Sequence, residues 1–160
     1  MSDQSYTTTF SVDRAPDEVF DAINNVRGWW SEEVEGRTDQ VGSEFRYRGH
    51  DEANTLEHRS TIRVEELVPG RRIVWRVLDN SMNFIEDPSE WNDTEIRFEL
   101  SEKDDTTEVR FTHAGLVPEF ECFDVCSNAW AFFIGASLRS LITTGEGAPI
   151  SNADEVRSGK

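Results

Sequence analysis

Lysine is almost missing from this 160-residue chain. There are two, Lys103 and Lys160, beside fourteen arginines, and 32 Asp and Glu face 16 basic residues in all. The formal net charge of −16 leaves no basic stripe for a phosphate backbone, which excludes nucleic acid as a partner. No acidic tail accounts for it: the balance is −7 over residues 1–60, −7 over 61–120 and −2 over 121–160. Such a surface suits a high-salt cytosol, where salt screens self-repulsion, and equally an ordinary acidic cytosolic protein. Cysteine is as scarce. Cys122 and Cys126 make no disulfide framework, and at i, i+4 on a helix they read as two small buried hydrophobes. The longest uncharged stretch, Val125 to Leu138, falls short of the 18 or so apolar residues of a membrane span. The opening Met1-Ser2-Asp3-Gln4 has neither the basic nor the apolar region of a secretory signal, so a cytoplasmic location is expected.

What the chain does have is aromatics: ten Phe, five Trp and two Tyr. They fall into patterns. Tyr6, Thr8, Phe10 and Val12 share one face of a strand. Pro16-Asp17-Glu18 opens a helix with apolar Val19, Phe20, Ile23 and Val26, broken at Gly28, and Trp29-Trp30 begins a second short one. From residue 43 the period is two. Phe45 and Tyr47, Ile62 and Val64, Ile73 to Val77, Ile96 to Leu100, and Val109 to His113 alternate with charged neighbours. This is an antiparallel sheet of about six strands with one apolar face. Cys126, Ala129, Trp130, Phe133, Ser137, Leu138, Leu141 and Ile142 follow helical spacing, and a helix over 122–144 is expected to cover that face before Gly145 stops it.

Catalytic signatures are lacking. His50, His58 and His113 form no HExxH or closely spaced ligand pair, and there is no CxxC, GxSxG or phosphate-binding glycine loop. A zinc site from His113, Cys122 and Cys126 lacks an identifiable fourth ligand. No catalytic residue, metal or cofactor is therefore assigned, and binding without turnover is the expectation over catalysis.

Several blocks are similar to one known family. Pro16-Asp17-Glu18-Val19-Phe20-Asp21-Ala22-Ile23, Trp29-Trp30 and Gly42-Ser43-Glu44-Phe45 resemble the activator of Hsp90 ATPase homologue 1-like family. So do Glu90 to Phe98, Phe111-Thr112-His113-Ala114-Gly115-Leu116 and Cys126-Ser127-Asn128-Ala129-Trp130. The family belongs to the START/Bet v 1-like (SRPBCC) superfamily. The resemblance implies an α+β helix-grip fold: a curved antiparallel sheet wrapped around the long C-terminal helix, with two short helices after the first strand. It also implies a hydrophobic cavity between sheet and helix.

The expectation is one such domain over residues 1–149, followed by a flexible tail over 150–160. Its function is expected to be binding of a small apolar or aromatic molecule in that cavity. The alternatives are a co-chaperone-like partner of an Hsp90-type ATPase and, behind it, a polyketide cyclase-like enzyme. The expected lining is Trp30, Phe45, Tyr47, Trp75, Phe98, Phe111, His113, Cys126, Trp130 and Phe133, with Tyr47, His113 and Asn128 as polar anchors. The segment Asp79 to Asp93, which carries Met82, Phe84, Ile85, Pro88 and Trp91, reads as a cap over the cavity mouth or as an extra edge strand. Beyond the small molecule, the partners open to the chain are a second copy in a homodimer or a chaperone.

Overall fold

A computed structural model describes residues 5–50, 57–83, 91–117, 120, 121 and 123–149. Strand β1 (Tyr6–Val12) leads into α1 (Pro16–Asn24) and α2 (Val26–Trp29). Strands β2 (Val34–Gly36), β3 (Glu44–His50), β4 (Glu57–Val68), β5 (Arg72–Met82), β6 (Glu95–Lys103) and β7 (Thr106–Ala114) follow. They form a sheet in the order β1-β7-β6-β5-β4-β3-β2, antiparallel throughout. Among the described residues the sheet thus has seven strands, not six. The extra one, β2, is a three-residue edge strand, too short for any alternation to announce it.

Parity was the reliable guide to faces. Phe98 is fully buried against Ile73 and Phe111 on the neighbouring strands, while Glu99 turns outward to Arg72 at 3.6 Å. The outer face is a ladder of ion pairs: Arg72 with Glu66, Arg76 with Glu65 and Glu95, Arg97 with Glu95, and Arg48 with Glu33 and Glu57. Alternation breaks once within β5. A register shift opposite Thr61 and Ile62 leaves Leu78 without a partner, so the inward set Ile73, Trp75, Val77 continues as Asn80 and Met82.

The C-terminal helix spans Phe123–Thr144 and ends at Gly145, whose φ of 90° makes a left-handed cap. It is not uniform. An α-helical start, α3 (Phe123–Phe132), passes through a π-helical segment, Phe133–Leu138, into α4 (Arg139–Thr144). In a regular α-helix, residues four apart drift by about 40° per step around the axis. The wider π turn absorbs part of that drift, so Cys126, Trp130, Ile134, Leu138 and Ile142 all face the sheet. The expected stripe is corrected accordingly: Ile134 is wholly buried, Phe133 only half, and Ala129 is exposed. Ser137 hydrogen-bonds the Trp29 carbonyl at 2.7 Å from inside the π segment and accepts the Ala148 N–H at 2.7 Å. That tie needs glycine beside it, because a Cβ on Gly147 would collide with the Gly28 carbonyl.

By length and composition alone, Phe123–Thr144 is apolar enough to cross a membrane, with a mean hydropathy of 1.3 over an 18-residue window, contrary to the count of uncharged residues. Its inner side is nonetheless taken up by the sheet, with Trp130 and Ile134 in the core. The tail expected over residues 150–160 lies outside the described residues.

Two neighbouring substitutions should act in opposite directions. Ile134→Ala should lower stability by about 2–5 kcal/mol through the cavity it leaves. Gly135→Ala, where an added methyl meets open space, should raise it by roughly 0.5–1 kcal/mol. Urea denaturation of the two variants checks both signs.

Candidate functional site

The sheet and the C-terminal helix meet through aromatic rings. Trp30 stacks on Tyr47 at 3.9 Å, lies parallel to Trp75 at 6.1 Å, and leans on Trp130 at 5.0 Å. Phe45 and Phe98 stand edge-on to Trp75 at 5.1 and 5.0 Å, and Phe111 touches both Phe98 and Trp130. Of the expected lining, Trp30, Phe45, Tyr47, Trp75, Phe98, Phe111, His113, Cys126 and Trp130 are all buried in this one layer. Phe133 sits at its margin against Phe132. The rings here fill the space between one another. A groove of about 550 Å³ lies over β2 to β5, lined by Arg46, Arg48, Arg59 and Asp79 and also by the buried Tyr47, Ser60 and Asn80. Its three arginines, Arg46, Arg48 and Arg59, are already paired with Glu35, with Glu33 and Glu57, and with Glu57. Asn128 faces solvent, which removes it as an anchor.

Polar side chains gather at one end of the aromatic layer. His58 Nε2 and Ser60 Oγ both reach Asn80 Oδ1, at 2.6 and 2.5 Å. Tyr47 borders them, its ring edge-on to His58 at 5.3 Å. A second chain begins at the helix. The Trp130 indole N–H donates to His113 Nδ1 at 3.1 Å, which leaves the His113 proton on Nε2. That proton goes to Thr94 Oγ1 at 2.8 Å, and the Thr94 hydroxyl donates to the Trp91 carbonyl at 2.6 Å. His113 therefore has both ring nitrogens satisfied inside the protein. Trp91 joins the two chains: its ring is perpendicular to His58 at 4.4 Å and to His113 at 4.5 Å, and parallel to Trp130 at 5.7 Å.

This environment disfavours charge. Burial pushes His113 down to about 3, with His58 nearby adding to the effect. Burial also pushes His58 down to about 4, opposed by its bond to Asn80. His58 keeps some exposure at the rim, whereas His113 is wholly enclosed. The Tyr47 phenol is raised well above its usual range by burial, against the pull of the Trp30 hydrogen bond. All three groups are neutral at pH 7, so the cluster offers hydrogen bonds and ring edges rather than ions.

Sequence reasoning missed His58, Ser60, Asn80, Thr94 and Trp91. The parity of Ile62 and Val64, run backward, does reach Ser60 and His58, and that of Ile96 reaches Thr94. Asn80 was hidden by the bulge before it. The segment read as a cap over the cavity mouth is different in kind: β5 runs on through Met82, and Trp91 is 3% exposed inside the core. Residues 84–90, and with them Phe84, Ile85 and Pro88, lie outside the described residues, as does Cys122.

The family model for activator of Hsp90 ATPase homolog 1-like protein matches residues 13–143. The chain belongs to this family. The Aha1 dimer from Colwellia psychrerythraea, solved in solution, is similar to it at 25% identity and a TM-score of 0.69, covering 89% of this chain and 98% of that one. DynU16, from the dynemicin biosynthetic locus, shares the fold at 18% identity and a TM-score of 0.66, over 91% of this chain and 49% of its own. CalU16 from Micromonospora echinospora does so at 18% identity and 0.62, over 94% and 78%. No curated protein matches the sequence.

The neutral state of His113 has a pH consequence. Its folded value is depressed below the unfolded 6.5, so its contribution is complete above pH 6.5 and is lost as pH falls toward 3. At pH 5 the loss should be about 2 kcal/mol. Relief of carboxylate repulsion acts the other way but is shared by a His113→Asn variant. Between pH 7 and 5 the wild type should therefore lose more stability than the variant, and parallel curves in chemical denaturation would contradict the assignment.

Proposed function

We propose that this member of the family binds a small apolar or aromatic molecule between the sheet and the C-terminal helix, without turning it over. The observation that carries the reading is the polar end of the aromatic layer. Burying Tyr47, Ser60, Asn80, Thr94 and His113 together, with His58 at their rim, is costly for packing alone, and a few convergent polar groups in an aromatic wall are what orients a ligand. The fold of the family is one that commonly holds hydrophobic molecules, which agrees with that chemistry. Entry requires rings now in contact to part.

N-phenyl-1-naphthylamine, a neutral apolar fluorophore, tests the reading without opposing the −16 charge. It should bind saturably with a dissociation constant on the order of micromolar and raise the melting temperature with the logarithm of its concentration once that exceeds the dissociation constant. Binding that never saturates, with an unchanged melting temperature, would remove the proposal.

A second reading, self-association, has its own observation. The outer side of the C-terminal helix carries Val125 and Phe132 at 56% and 48% exposure, on a stretch without charge from Val125 to Leu138. In so acidic a chain this is the surface where two copies can meet without charge repulsion. The similar protein from Colwellia psychrerythraea was solved as a dimer. Light scattering should give twice the chain mass for the wild type and the single mass for Phe132→Glu; a monomeric wild type ends this reading. Contact with an Hsp90-type ATPase stands behind both, since the family name alone carries it.

A further inference from the structure

Trp91 is built into the core from a turn, not from a strand or the helix, and its indole is held like a guest. It lies parallel to Trp130 at 5.7 Å, within 12° of coplanar, and perpendicular to both His58 and His113 at 4.4 and 4.5 Å. Its hydrogen bonding does not match this fit. Trp29 gives its N–H to the Ile23 carbonyl and Trp130 gives its own to His113, whereas the Trp91 Nε1 is buried with no partner among the described residues. Trp75 shares that lack, but a central strand fixes it and stacking holds it on several sides.

An acceptor is within the same cluster. Both bonds of His58 use Nε2, and donation of that proton to Asn80 Oδ1 leaves the lone pair on Nδ1. The backbone from which the Trp91 indole enters the slot is fixed. Its carbonyl is pinned by the Thr94 N–H at 3.0 Å and the Thr94 hydroxyl at 2.6 Å, and the left-handed Asp93, with φ of 66°, fixes the turn. A free molecule of the same shape has no such tether. The same pinning leaves the backbone in place if the side chain rotates out.

We infer that the slot formed by Trp130, His58 and His113 is a binding site for a fused bicyclic heteroaromatic bearing a ring N–H, and that Trp91 occupies it in the free protein. This rests on the apolar-ligand reading above and narrows it. The tethered indole supplies shape and ring contacts. The diffusible one adds a hydrogen bond to His58 Nδ1, which is the differential interaction that displaces Trp91. Trp91 lowers the apparent affinity by the fraction of time it fills the slot.

Indole, and benzofuran as its isostere without the N–H, are the probes. In 15N-labelled wild type, indole should shift the Trp91 indole N–H resonance and open it to solvent exchange. Benzofuran should bind at least about fivefold more weakly, and His58→Phe should abolish the difference. Trp91→Ala should bind indole about tenfold more tightly than the wild type. Should that variant not fold, the titration of the wild type decides alone. Indole binding with the Trp91 resonance unmoved overturns the inference. So does binding by Trp91→Ala with none by the wild type, which would mark an engineered hole. If N-phenyl-1-naphthylamine binds while indole does not, this inference falls and the wider reading stands; if neither binds, both fall.

Discussion

Trp30 is the point on which the rest of the structure leans. Its ring touches Trp29 in α2, Tyr47 in β3, Trp75 in β5 and Trp130 in the C-terminal helix. Four parts of the chain, far apart in sequence, are thus held to one another by a single side chain that is 2% exposed. Each such aromatic contact is worth about 0.5–1.5 kcal/mol beyond the area it buries. Their geometric effect is larger: with Trp30 in place, the helix can approach the sheet only at the height and angle that seat Trp130. The Ser137 bond to the Trp29 carbonyl fixes the same approach seven residues further along the helix.

The outer face of the sheet works on a different principle. Arg48, Arg59, Arg72, Arg76 and Arg97 alternate with glutamates across neighbouring strands, so much of the scarce positive charge sits where it neutralises acid already present. Pairs this exposed contribute roughly 0–1 kcal/mol each. Their main effect is on register, since a one-residue slip would set like charges opposite and turn Phe98 and Trp75 toward water.

How far the sequence could be read follows from the same two regimes. Strict alternation of charge and aromatic made the faces of β3, β6 and β7 legible, and with them the buried positions of Phe45, Phe98, Phe111 and His113. The fold class and the family followed from those faces and the covering helix. Periodicity fails where the backbone departs from its period. The bulge in β5 moved Asn80 inward, the π segment exchanged Phe133 for Ile134, and the brevity of β2 concealed a strand. Trp91 escaped for another reason. It belongs to no periodic element, and only the three-dimensional meeting of His58, His113 and Trp130 gives it a place. The polar half of the candidate site was therefore much less visible than its aromatic wall.

All five tryptophans belong to one chain of ring contacts, from Trp29 and Trp75 through Trp30 to Trp130 and Trp91. At these separations excited-state energy passes between indoles faster than it is emitted. Light absorbed by any one of them is consequently reported by whichever ring lies lowest in energy. Emission should therefore report on the connected set of rings rather than on any one of them. A disturbance at Trp91, at the far end of the chain, alters a signal that Trp29 also feeds.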